Sequence, residues 1–280
     1  MSISWEKIES SRDTRYRRQK RLQVTTESQV LDFINDVGFC FAFAAKNSEL
    51  PCLWHAVCGE RNPVMPEHIQ HDWSIGMVWH AKDSLPAQKK VYYGKAIKNR
   101  PAFIALEYFP FFYRLSDAYK GHEVYVAQYM RGELSPAAKR IMDALSEQSP
   151  QITRELKQSS GYTNPQKRYQ FDRAMAELQM KMFIVKIAET YDPFMFVWDL
   201  VERRFSEETA IAKTIKAEDA RSNILRKYFQ NVFVSNPNGI QRLFGWGQAE
   251  INAALDKLKK RDEIHDILID GEKKPWVGIL

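Results

Sequence analysis

Two stretches decide how this 280-residue chain is read: AMAELQMKMFIVKI at 174–187 and ALDKLKKRDEIHDI at 254–267. Set side by side at an offset of 80, Ala174, Met175, Leu178, Ile184 and Ile187 meet Ala254, Leu255, Leu258, Ile264 and Ile267. The shared pattern, A-[ML]-x-x-L-x5-I-x-x-I, is an internal repeat, and a repeat of this length encodes one supersecondary unit. Its first half has helical spacing and helix-forming residues. Its second half turns to strand formers, so each copy reads as a helix running into a hairpin.

Working outward, two more helices precede each copy. In the first, Pro136 to Glu147 carries apolar Ile141, Met142 and Leu145; Ile152 to Gln158 follows, with Thr153 as the expected N-cap and Glu155 in the first turn. In the second, Ala220 to Phe229 carries Ile224, Leu225 and Tyr228, and Pro237 to Phe244 ends at Gly245. Each copy closes on a hairpin. The first runs Phe183 to Ile187 and Phe194 to Trp198 around Tyr191-Asp192-Pro193; the second runs Ile264 to Ile269 and Pro275 to Leu280 around Asp270-Gly271, a strong hairpin pair. Three helices and a two-stranded wing predict an α+β chain containing tandem winged helix-turn-helix repeats.

The third helix of such a unit is the one that reads DNA, normally with its N-terminal half. In the first copy it spans Gln166 to Met182, with Lys167, Arg168, Arg173 and Lys181 against Asp172 and Glu177. In the second it spans Gln248 to Lys260, and Lys257, Lys259 and Lys260 all lie at the C-terminal end. Lys167, Arg168, Arg173 and Lys181 are therefore the expected DNA contacts. Fold alone does not give function, however, and many winged helices are interaction modules.

Charge argues less for DNA than it first suggests. The chain carries a formal +6, but Arg12 to Arg21 holds six basic residues and one acid, so +5 sits there and +1 elsewhere. Residues 1–22 are read as a basic flexible tail, a mobile electrostatic arm, followed by an aromatic-rich N-terminal domain at 23–134, expected to be winged-helix-derived, and winged helices at 135–216 and 217–280. At 44% hydrophobic and 27% charged the composition is globular. No apolar run reaches the ~18 residues of a membrane span. The basic N-terminal stretch has no apolar core behind it, so no secretory signal is expected. Three cysteines suit a reducing compartment, and a cytoplasmic protein without membrane partners is expected. Oligomeric state is not legible.

Between Phe39 and Tyr129 lie 17 of the 35 aromatic residues. Among them are Phe39-Cys40-Phe41-Ala42-Phe43 after Gly38, Leu50-Pro51-Cys52-Leu53-Trp54, and Lys89-Lys90-Val91-Tyr92-Tyr93-Gly94-Lys95; further on comes Val197-Trp198-Asp199-Leu200. With the tandem repeats, these stretches resemble the AlkZ-like family of winged-helix DNA-binding proteins, and its AlkZ-related branch most. The resemblance covers roughly residues 28–280. It implies a C-shaped array of winged helices with DNA across the concave face. The well-understood members are bacterial DNA glycosylases that unhook interstrand crosslinks and excise alkylated bases.

Those glycosylases carry Gln-x-Gln or Gln-x-Asp directly after the glycine equivalent to Gly38. Hydrolysis of an N-glycosidic bond needs a carboxylate or amide to position water beside an oxocarbenium-like sugar. Here Phe41 and Phe43 take those positions, and no Gln, Asn, Asp or Glu occurs from Val37 to Ala45. A phenyl ring does neither job. Glu107, in the apolar run Phe103 to Phe112, is the substitute acid if one exists, on the ground that desolvation would raise its pKa; pairing with Lys95 or Arg100 is the commoner fate. Asp72 is a weaker candidate.

Trp54, Trp79, Tyr92 and Tyr93, with Lys46, Arg61 and Lys95, are the candidates for a cleft holding a flipped base or single strand. Phe103, Phe109, Phe111 and Phe112 read as core. Cys52-x-x-His55-x-x-Cys58 and His68-x-x-His71 depart from usual zinc spacing, so no metal and no cofactor is assigned. The expected function is a DNA-binding protein, on duplex or damaged DNA, without conventional glycosylase activity. The alternatives are an active glycosylase for alkylated or crosslinked bases, and a winged-helix interaction or small-ligand protein.

Overall fold

The computed structural model describes residues 2–45, 48–274 and 276–279. Lys46, Asn47 and the two ends of the last predicted strand, Pro275 and Leu280, lie outside them.

The chain begins with α1 (Trp5–Arg15). It then repeats one order of elements three times, with short helices between. Unit A is α2 (Glu27–Val37), β1 (Phe39–Phe41), α3 (Leu53–Cys58), α4 (Trp73–Ala87), β2 (Val91–Ile97) and β3 (Arg100–Ala105). After α5 (Phe109–Arg114) and α6 (Val124–Met130), unit B is α7 (Pro136–Glu147), β4 (Gln151–Ile152), α8 (Thr153–Ser159), α9 (Arg168–Met180), β5 (Ile184–Tyr191) and β6 (Phe194–Leu200). After α10 (Val201–Arg204) and α11 (Ser206–Thr214), unit C is α12 (Ala217–Val232), β7 (Val234–Ser235), α13 (Pro237–Phe244), α14 (Gln248–Lys259), β8 (His265–Ile267) and β9 (Trp276–Gly278). Each unit forms a three-stranded antiparallel sheet in which the last strand lies between the other two.

Local chemistry explains the shared boundaries. Ser135 and Asn236 cap the first turns of α7 and α13 with their side chains, each followed by a proline at a position where no amide donor is needed. At α8 the cap position is Ile152 rather than Thr153. The Thr153 hydroxyl instead donates to the Phe196 carbonyl and accepts from Trp198 Nε1, tying the helix to the hairpin. The 80-residue repeat shows in the burial: Phe171, Ala174, Met175 and Leu178 of α9 are buried, as are Ile251, Ala254, Leu255 and Leu258 of α14. In all three units the third helix turns toward its hairpin through a non-glycine residue at positive φ: Lys89 (55°), Met182 (59°) and Asp262 (57°). The following amide bonds back into the helix each time, on Leu85, Leu178 and Leu258. Without glycine there, no sequence signal marks the turn.

Unit A seats its hairpin against unit B: α9 packs on β2 and α4 on β5. Unit C meets unit A through α12. Gly38, at φ 73°, has no room for a side chain, since a Cβ would lie 2.9 Å from Lys227 Cγ and 3.0 Å from the Tyr108 ring. Asn231 Nδ2 donates to the Val37 carbonyl, and Tyr228 OH donates to Glu49 Oε2.

The N-terminal segment is not a flexible tail. Ile3 pairs alongside Ile269, and Ile8 is fully buried against Val234, Ile267 and Ile269. Arg12 is 6% exposed; its Nε donates to the Val232 carbonyl and its Nη2 to that of Val234. Arg15 binds Asp36 and Asn231, Arg18 binds Glu9 and Asp13, and Lys20 binds Glu60. The +5 run is thus largely used in holding the segment onto units A and C. The physical reason is that scattered Ile3, Trp5 and Ile8, too sparse to suggest a core, fit an apolar gap on unit C. Among the described residues, no helix is long and apolar enough to cross a membrane.

Candidate nucleic-acid interface

Strands β2 and β6 and helices α8 and α9 enclose a cleft of about 530 Å³ between units A and B. Tyr93, Gly94 and Lys95 line it from unit A; Arg168, Phe171, Phe196 and Trp198 line it from unit B. A second hollow of about 500 Å³ adjoins it through Thr153, Lys157 and Phe196 and adds Arg154 and Phe194.

The aromatic wall follows from strand geometry. Side chains two apart share a face, so Phe194, Phe196 and Trp198 form a ladder along β6. Their ring centroids are 5.4 and 5.9 Å apart, each pair nearly edge-on. Exposure falls along the ladder, from 58% at Phe194 to 7% at Trp198.

Below the ladder, Lys186 Nζ lies 2.6 Å from Asp83 Oδ1 and 2.6 Å from Glu189 Oε1. Lys82 Nζ is 2.6 Å from the same Asp83 oxygen and 3.3 Å from Glu189. The Lys186 ammonium also faces the Tyr93 and Phe196 rings, at 5.8 and 5.1 Å. Burial alone would raise the Asp83 carboxyl, but hydrogen bonding to Glu189, Lys186 and Lys82 holds it below its ordinary range. Burial, with the charges of Asp83 and Glu189, pushes the Tyr93 hydroxyl above its ordinary value. Two cations and two anions make this floor formally neutral. The rim is different. Among the described residues, no carboxylate lies within 4 Å of Lys95, Arg154 or Lys157.

The structure brings Tyr93, Lys95 and Arg168 of the sequence candidates into this cleft, with Lys167 exposed at the start of α9. It places others elsewhere. Tyr92 is fully buried in the core, and Trp54 is 4% exposed with its Nε1 on Ser74 Oγ, so neither faces a cleft. Polar neighbours in sequence mark these rings poorly, because strand and helix turn neighbours to opposite sides. Trp79 is half-buried against unit A's core. Arg61 is clamped by Asp13 of the N-terminal segment, Lys181 binds Asp117, and Arg173 lines a different hollow with Arg140 and Glu177. Lys46 lies outside the described residues.

Phe41 is 1% exposed in the core, where it pairs with Ala102 across the sheet. Phe43 is half-buried with its ring 6.3 Å from Trp54. Glu107 is exposed and does not line the cleft, so the apolar run around it fails to desolvate it: its side chain points out at the bend between β3 and α5. Asp72 caps α4, accepting from the Ile75 amide. Cys52 is buried with its thiol toward the Ala42 carbonyl, and among the described residues no three His, Cys, Asp or Glu side chains gather as metal ligands would. Sequence reasoning missed Arg154, Lys157 and the Lys82–Asp83–Lys186–Glu189 group. The ladder's signal, aromatic residues alternating along a strand, was present.

This three-fold array of one α+β order is a fold shared with a DNA glycosylase. All of this chain is covered in a superposition on Streptomyces sahachiroi DNA glycosylase AlkZ, of which it covers 70%, with a TM-score of 0.65 and 11% identity. The chain belongs to the AlkZ-related family, whose model matches residues 24–245. No curated protein matches it.

Proposed function

We propose that this chain binds DNA through tandem winged helix-turn-helix units in a C-shaped array, with the cleft between units A and B and the start of α9 as the contact surface. The observation that carries this reading is the rim of unpaired cations. Lys95, Arg154 and Lys157 have no carboxylate partner among the described residues, and Arg168 has only Asp172 at 3.6 Å, an exposed pair. Elsewhere, Arg15, Arg18 and Lys20 of the N-terminal segment and Arg221, Arg226 and Lys257 of unit C are held in ion pairs. Membership of the AlkZ-related family, and a fold shared with a DNA glycosylase, support the same partner.

Conventional glycosylase chemistry has no support at the expected position. Phe41 is sealed in the core, Phe43 leans on Trp54, and neither ring can orient a water. Damaged DNA is the partner the family relationship favours, recognised without base excision.

Fluorescence anisotropy with a labelled duplex at 50 and 200 mM salt tests the reading. Neutralising about four phosphates predicts a loss of affinity of roughly a hundredfold between the two salts. No binding at the lower salt overturns it. Incubation with alkylated duplex, followed by cleavage at abasic sites, is expected to give no product; product would make the chain an enzyme.

A further inference from the structure

We propose that the cleft between units A and B is a groove for unpaired nucleotides, so that the protein prefers DNA with a short unpaired stretch over intact duplex. This rests on the DNA-binding reading above. Three observations carry it.

The first is spacing. Phe194 and Phe196, the exposed and half-buried rings of the ladder, stand 5.4 Å apart above the buried Trp198. Bases in a duplex strand are about 3.4 Å apart. A stacked strand therefore cannot lay successive bases on successive rings, whereas a strand pulled out of its stack can. Aromatic side chains at intervals beside a basic track are how single strands are held.

The second is the distribution of charge. The floor of the cleft is formally neutral, because Lys186 and Lys82 are bound by Asp83 and Glu189. Lys95, Arg154 and Lys157, which have no carboxylate partner among the described residues, stand at the rim, Lys157 over the Phe171 ring. That arrangement orients a strand: phosphates outside, bases inward on the rings.

The third is that unit C has no matching ladder. In unit B, Trp198 pairs with Gln151, the residue before the α8 cap position, and with Lys186; the equivalent residues of unit C, Ser235 and Asp266, both pair with Val277. A valine thus stands where unit B has Trp198, while Phe194 is 58% exposed at the open end of unit B's ladder.

The test is anisotropy with three probes: an intact duplex, the same duplex with a three-nucleotide bulge, and a single strand. Wild-type protein is expected to bind the bulged duplex at least about tenfold more tightly than the intact one. Phe196→Ala is expected to bring the two within about twofold, by weakening binding of the bulged duplex more than of the intact one. Phe194→Ala, at an exposed position where folding is not at stake, is expected to lose part of the preference. A 2-aminopurine in the bulge should be quenched by the wild type and not by Phe196→Ala. Equal affinity for bulged and intact duplex, or a preference that survives both substitutions, overturns the groove and leaves the DNA reading standing. Failure to bind any probe at low salt overturns both.

Discussion

Units B and C have the same helices and opposite hairpins. Their third helices bury residues at matching repeat positions, and each turns into its hairpin through a left-handed residue, Met182 or Asp262. Beyond that turn they part. Strands β5 and β6 have eight and seven residues and carry an open aromatic ladder; β8 and β9 have three each. The short hairpin of unit C is completed by the chain's own N-terminal segment, Ile3 lying along Ile269 and Trp5 on Trp276. One copy of the repeat is closed by its own chain and the other is left open toward unit A. The repeat is thus a scaffold on which one hairpin stays open while the other is closed.

The largest effect is expected from undoing the closure. Removing residues 1–18 exposes the Val234–Ile267–Ile269 cluster and leaves the Val232 and Val234 carbonyls without the Arg12 donors. Burial of Ile8 and two charge-assisted bonds together contribute about 5 kcal/mol. A fall in thermal midpoint of roughly 8 °C is expected in calorimetry. An unchanged midpoint with weaker DNA binding would restore the mobile arm that the charge run suggests.

Next in size is a contrast at one repeat position. Lys186 in unit B matches Asp266 in unit C. The Lys186 side chain is 9% exposed between two carboxylates, whereas Asp266 is 60% exposed beside Lys259. Lys186→Met leaves Lys82 as the one cation shared by Asp83 and Glu189 and is expected to cost about 3 kcal/mol in denaturant titration. Asp266→Ala is expected to change stability by less than about 0.5 kcal/mol. Similar costs for the two would mean that the cluster under the ladder is not a structural keystone of unit B.

A smaller effect separates the second helices. The N-terminal segment covers α3, with Val24 N on the Ala56 carbonyl, Gln23 on Val57 and Lys20 on Cys58. Its counterpart α8 is left open, with Arg154 exposed. Burial and the nearby Arg18 charge hold the His55 imidazole on α3 down to about 4 from an ordinary 6.5. Below about pH 6.5 the unfolded chain takes up a proton that the folded chain refuses, so stability falls as pH drops from 6.5 toward 4. Allowing for partial solvent screening, the loss is on the order of 2 kcal/mol. His55→Gln should flatten this part of the melting-temperature profile; an unaltered slope would show that His55 is not held neutral.

What was legible in the sequence follows from which interactions are periodic. The α7 and α13 boundaries are readable residue for residue, because Ser135-Pro136 and Asn236-Pro237 start the helices and Gly245 ends the second. The 80-residue repeat exposes units B and C because their third helices share one buried stripe. Unit A repeats the same order without matching residues, so only its position and aromatic content hint at it. The N-terminal segment misleads because its basic residues are counted as free charge, whereas the partners of Arg12, Arg15 and Lys20 (the Val232 and Val234 carbonyls, Asp36 and Glu60) lie far along the chain. Of the cleft, Tyr93, Lys95 and Arg168 are named in advance. Lys186 and Glu189 are not, because a lysine and an acid three apart on a strand signal nothing until Asp83 is brought beside them.

The smallest effect is also the most direct comparison of the two copies as DNA readers. On α9, Lys167 and Arg168 stand exposed at the N-terminal end. On α14 the basic residues cluster at the other end and are engaged, Lys257 with Asp219 at 2.5 Å and Lys259 with Asp266 at 2.6 Å. A third helix that enters a groove by its first turn presents cations in unit B and none in unit C. Lys167→Ala with Arg168→Ala is expected to weaken duplex binding about five- to tenfold across sequences, without loss of fold, and to make the salt slope shallower by about two. The matching pair Lys257→Ala with Lys259→Ala is expected to leave both affinity and slope unchanged, because those ammonium groups already have carboxylate partners and release few counterions on binding. If the α14 pair weakens binding as much as the α9 pair, the duplex runs across both copies, and the division into one open and one closed unit holds for the hairpins only.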